Sequence, residues 1–190
     1  LACALAGAGT EVTIVARHAP RIHRFDSEPE WLGPKAMAGF ARTRDPQERR
    51  RLIAAARHRG SMPPEIASAL QREQRSGRVK WVEAEPRGVD PTATLVRLRL
   101  DRTPNLLEAD RVVLATGFDG HRPGGALLSD EAVDRLGLPR AECGYPLISP
   151  RLEWARGLFV SGPLAELELG PTARNIAGAR TAGERLLAAA

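Results

Sequence analysis

Residues 11–17 read EVTIVAR, and this run constrains the fold more than any other stretch of the chain. Val12, Thr13, Ile14 and Val15 are β-branched and together have strand length. Just before them lies LACALAGAG, in which Leu1, Ala2, Leu5 and Ala6 read as the back half of a helix that Gly7 and Gly9 end. A small-residue helix, a short turn and a Val/Ile strand form the second half of a βαβ unit, whose strand needs a parallel neighbour. The pattern is entered midway, so the chain reads as a piece of a longer protein whose beginning lies upstream.

The rest of the sequence keeps alternating. Residues 45–60 predict a helix, with Asp45 as cap, Pro46 in the first turn, Glu48 three residues after the cap and Gly60 as stop. Residues 61–77 repeat the design between Ser61 and Gly77. Strands are expected over 78–85, over the alternating ATLVRLRL (93–100), and over the apolar RVVLATG (111–117). A short helix at 129–137, strands at 145–149 and 157–162, and a helix at 170–190 complete the reading. Residues 25–40 have scattered Pro and Gly and predict a loop with one helical turn. Such alternation defines an α/β fold with a mostly parallel sheet.

Composition narrows the function. The net charge of +5 comes almost entirely from arginine, since Lys35 and Lys80 are the only lysines. A basic surface suits phosphate or nucleic acid. Aromatics are 4% of residues, too few for a base-stacking surface, and Arg49-Arg50-Arg51 falls on a helical face, so nucleic acid is not the expected partner. Cys3 and Cys143 form no CxxC and no metal cluster, which fits a reducing cytoplasm and no metal. No stretch has the length of a membrane span.

Three places carry candidate chemistry. Arg17 and His18 close the strand at 11–17, and Arg21 follows. In a dinucleotide-binding unit that position meets the adenosine ribose, where an arginine accommodates the 2′-phosphate of NADPH. The bland alternative is a surface arginine in an arginine-rich chain. Second, Ala115, Thr116 and Gly117 end an apolar strand, with Phe118 beyond; small residues there let a ring lie against backbone. The alternative is a strand that merely meets a tight turn. Third, a strand ends at Gly162, and a helix begins after Gly170 with Thr172, Ala173, Arg174 and Asn175 in its first turn. Helix-start amides receive phosphate or an electron-rich ring edge; the alternative is tight packing without a ligand. No residue stands out as a catalytic acid or base.

Taken in order, these motifs resemble the two-dinucleotide-binding flavoproteins, in particular the group of lysine and ornithine N-hydroxylases and flavin-containing monooxygenases. The Ala-Thr-Gly-Phe of 115–118 is similar to the motif that marks the return from the inserted NADPH domain to the FAD domain. VARHAPRIH (15–23) resembles the NADPH-side strand end, and GLFVSG with the helix after Gly170 resembles the closing FAD segment. The family's Gly-Asp after that strand is here Gly162-Pro163.

The resemblance implies a Rossmann-like NADPH-binding part over 1–116, lacking its first strand and Gly-rich turn, and the C-terminal part of an FAD-binding domain over 117–190. It implies FAD and NADPH as cofactors and a small-molecule substrate, with NADPH reducing the flavin and oxygen or another acceptor following. A non-catalytic FAD/NAD(P)-binding or regulatory protein is the alternative reading. The oligomeric state is open.

Overall fold

The computed structural model describes residues 1–92, 94–117 and 120–188. In chain order its first elements are α1 (Ala2–Gly7), β1 (Val12–Ala16), β2 (Arg21–Ile22), α2 (Pro34–Arg42), α3 (Pro46–Ala56), β3 (Ser61–Met62) and α4 (Pro64–Arg75). Next come β4 (Val79–Glu83), β5 (Pro86–Pro91), β6 (Val96–Leu100), β7 (Leu106–Ala109) and α5 (Asp130–Arg135). The chain closes with β8 (Glu153–Ala155), β9 (Leu158–Phe159), α6 (Glu166–Leu169) and α7 (Ile176–Leu187). Two compact units result: Leu1–Arg24 with Gly60–Gly117, and Phe25–Arg59 with Phe118–Ala190.

In the first unit the β-branched run finds its parallel partner. β1 lies beside β4, with Val12 opposite Val79 and Ala16 opposite Glu83. Ala6 of α1, Leu70 of α4 and Val79 form the buried cluster, flanked by Val12, Ile14 and Trp81. The small residues of α1 suit this role, because Ala6 lets the helix approach the strands closely. β2 and β3 make a second, two-residue parallel pair. β5, β6 and β7 form an antiparallel meander, which the alternation of 93–100 anticipates for β6 only.

The second unit is built around two apolar clusters. Val133, Leu152, Trp154, Val160, Leu169 and Ala182 belong to one, and Phe40, Ile53, Tyr145 and Leu167 to the other. α3 starts as its caps predict, with the Asp45 carboxylate accepting the Gln47 amide at 3.0 Å.

Four expectations are corrected. Among the described residues parallel pairing is confined to β1–β4 and β2–β3, because the other ladders join near neighbours in sequence through tight connections that force antiparallel strands. Residues 34–42 are helical rather than loop: Pro34 occupies the first turn, where its missing N–H costs nothing, and Met37 and Phe40 pack inward one turn apart. Residues 145–149 form no strand, only an isolated bridge between Arg140 and Pro146. Residues 111–117 pair with no other strand among the described residues, and Val113 and Leu114 are 63% and 77% exposed. A continuous Val-Val-Leu run is the pattern of a strand covered on both faces; here it has no ladder neighbour among the described residues.

Candidate functional site

In the first unit, β1 ends at Ala16 and the chain bends through residues 17–20 before β2. Arg17 is exposed on that bend, and Arg21 is exposed opposite Ser61. The His18 ring places Nδ1 2.8 Å from the Ala19 carbonyl and lies over Gly60, where an added Cβ would sit 3.7 Å from Nε2. Gly60 has φ +68°, a conformation in which a side chain would be strained. The bend and the start of β2 therefore carry two exposed guanidiniums beside a supported imidazole, a donor-rich rim of the kind that binds phosphate.

Ala115, Thr116 and Gly117 are exposed. Gly117 has φ +74°, and a Cβ built on it meets no atom within 4 Å. Its backbone is thus open on the side that a side chain would cover. Phe118 lies outside the described residues.

In the second unit the closing segment divides in two. Gly162 has φ +59° with open space around its missing Cβ. Gly170 has φ +80° but faces inward, with Met37 Cε 3.2 Å from a built Cβ. Pro171–Arg174 form a 3-10 turn, in which Thr172 and Ala173 are buried. The helix expected from 170 restarts at Ile176, because the Asn175 side chain accepts the Gly178 amide at 3.1 Å and caps α7. The first two amides of α7 remain for other acceptors, as at any helix start. Gly178 itself packs on the 3-10 turn: a Cβ there would stand 2.1 Å from the Thr172 carbonyl oxygen.

Arg174 does not stand ready as a lone cation. Its Nε donates to Glu166 Oε2 at 2.6 Å, and Nη2 donates to the Tyr145 hydroxyl at 2.8 Å. That hydroxyl donates in turn to the His121 carbonyl at 3.0 Å. Glu166 is 1% exposed and also pairs with Arg50, whose guanidinium lies 3.9 Å over the Tyr145 ring. Hydrogen bonding to Glu166 holds the Arg174 pKa above its ordinary value. The neighbouring Arg49 pairs with Glu168 at 2.8 Å and Arg51 with Glu48 at 2.6 Å. Every arginine of the 49–51 run thus has a carboxylate partner.

Sequence reasoning did not find Glu166 or Tyr145, or the pairing of Arg50 with Glu166. The signal available for Glu166 was a lone acid within the apolar PLAEL, a place where a charge is retained only with partners.

No protein-family model matches the sequence, and no curated protein does. Solved structures match its fold. The FAD-bound cadaverine monooxygenase of desferrioxamine biosynthesis from Erwinia amylovora aligns with a TM-score of 0.65 and 16% identity, covering 94% of this chain and 44% of its own. The reduced form of ornithine hydroxylase from Pseudomonas aeruginosa gives 0.64 and 18%, covering 92% and 46%. The Kutzneria ornithine N-hydroxylase, in complex with reduced FAD, NADP+ and L-ornithine, gives 0.60 and 16%, covering 95% and 45%. This chain thus spans less than half the length of these structures. It folds as the corresponding part of FAD-dependent amine N-monooxygenases does. Among the described residues no helix is long and apolar enough to cross a membrane.

Proposed function

We propose that the chain is part of an FAD-dependent, NADPH-using oxidoreductase of the monooxygenase kind. The unit of residues 1–24 and 60–117 would form a Rossmann-like NADPH-binding part, and residues 118–190, with which 25–59 pack, the closing part of the FAD-binding domain. The observation that carries the reading is the fold match over 92–95% of the chain to flavin monooxygenases, with the Ala115-Thr116-Gly117 backbone left open where the resemblance puts a coenzyme ring.

The residues fit the two cofactors. Arg17, His18 and Arg21 offer hydrogen-bond donors to the 2′-phosphate of NADPH. Gly117 and Gly162 carry no atoms within 4 Å of their missing side chains, as close approach of a flat ring requires. Asn175 fixes the start of α7, whose first amides suit an electron-rich edge. Gly170, Thr172, Ala173 and Arg174 support that start from within the unit. A bound flavin would supply the redox chemistry, accepting two electrons from NADPH and passing them to oxygen or another acceptor, while the residues of this chain would bind and orient it. The substrate is a small molecule.

The test is spectral. Purified at the full length of its gene product, the protein should be yellow and should bleach anaerobically on adding NADPH. A colourless protein that neither takes up FAD nor oxidises NADPH would overturn the reading.

A further inference from the structure

We propose that Arg57, beside the Arg174–Glu166 pair, receives an oxyanion group, a phosphate or a carboxylate, in the second unit. The inference rests on charge balance and not on the flavin reading.

Arg57 ends α3 as its C-terminal cap residue. Its segment is pinned by an antiparallel bridge to the buried Ser27 and by the His58 amide, which donates to the Asp26 carbonyl at 2.9 Å. The His58 ring also meets Glu28, with Nε2 2.9 Å from Oε1. Arg57 is therefore held in place rather than free to swing into water.

Its charge is nonetheless poorly matched. The side chain is 16% exposed, and Asp26 approaches no nearer than 3.8 Å, beyond a hydrogen bond. Nε is buried and has no hydrogen-bond partner. Burial, and then the repulsion of Arg174, pull the Arg57 pKa below its ordinary value. Glu166, the buried carboxylate nearby, is already shared by Arg50 and Arg174. Three guanidiniums, Arg50, Arg57 and Arg174, thus face Glu166 and the half-exposed Asp26, with Arg59 adding further repulsion. A buried cation is retained when something neutralises it. An incoming oxyanion would do so, and a planar guanidinium fork matches phosphate and carboxylate alike.

The experiment titrates the purified 190-residue chain with inorganic phosphate and, separately, with acetate, ionic strength being held constant with chloride. Melting temperature and calorimetry follow binding. Saturable stabilisation is expected, with a dissociation constant on the order of millimolar. A response to phosphate alone assigns a phosphate ester as the natural group; a comparable response to acetate assigns a carboxylate. Arg57→Gln should weaken binding about tenfold or more, whereas Arg180→Gln, on the exposed face of α7, should leave it unchanged. If Arg57→Gln does not fold, Arg57→Lys, which keeps the charge and loses the fork, should bind more weakly than the wild type. Equal responses to the two anions and to chloride would overturn the proposal. So would a response lost in Arg17→Gln and kept in Arg57→Gln, which moves the anion to the bend after β1.

Discussion

Arg174 and Glu166, eight residues apart, are joined by two hydrogen bonds, from Nε to Oε2 at 2.6 Å and from Nη2 to Oε1 at 3.1 Å. The same carboxylate holds Arg50 from α3, so one buried acid ties the C-terminal segment to a helix 116 positions earlier. Removing it leaves two guanidiniums uncompensated. Glu166→Ala should cost about 3–5 kcal/mol, read as a lower denaturant midpoint in unfolding followed by circular dichroism.

Two glycines of α7 separate packing from propensity. Gly178 abuts the Thr172 backbone, whereas a Cβ at Gly183 meets nothing within 4 Å. Gly183→Ala should stabilise by about 0.5–1 kcal/mol. Gly178→Ala should destabilise despite the same gain in helix propensity, because the clash is with backbone and cannot be relieved by a rotamer. A melting temperature that rises for both would refute the close packing.

The exposed run after β7 predicts association behaviour. Val113→Lys and Leu114→Lys remove no buried contact, so stability should stay within about 0.5 kcal/mol of wild type. Unpaired apolar backbone is a template for self-pairing, and both changes should reduce association of the 190-residue chain in light scattering.

Asp130 sets an acid dependence. A hydrogen bond from Arg122 at 2.8 Å, with Arg140 also close, holds its carboxyl below the usual range. The folded chain therefore binds fewer protons than the unfolded one near pH 4, and stability should rise with pH through that window. The contribution is fully present above the unfolded carboxyl pKa and is lost as pH falls through the folded value. Asp130→Asn should flatten that part of the melting temperature–pH curve. An unchanged curve would mean that the pairing is absent in solution.

Cofactor choice follows from the proposed role of Arg17. In the full-length protein Arg17→Glu should lower the preference for NADPH over NADH on the order of tenfold, equivalent to about 1.4 kcal/mol. Steady-state kinetics with both nucleotides would show it, and a preference left untouched would remove Arg17 from the site.

Much of the local structure was legible because its causes are local. Asp45 and Pro46 announce α3 within two residues, and the β-branched run of β1 needs only its own side chains to prefer extension. α2 was hidden because Gly33, Pro34 and Gly39 weaken the helical pattern, while the inward packing of Met37 and Phe40 that stabilises it is tertiary. At the candidate site, Arg17 and the Ala115-Thr116-Gly117 stretch could be proposed from position along the chain. The arginine cluster could not, since Arg57, Glu166 and Arg174 have no spacing that links them.

By itself, the sequence determined the capped start of α3, the extension of β1, and where Gly117 leaves the backbone uncovered. These depend on dihedral preferences and capping bonds within a few residues. Only the tertiary structure decided that residues 25–59 pack with the C-terminal segment, that Glu166 compensates two arginines and that Arg57 is left short of a partner. Burial turns a common arginine into an unbalanced charge, and burial is a property of the path of the whole chain.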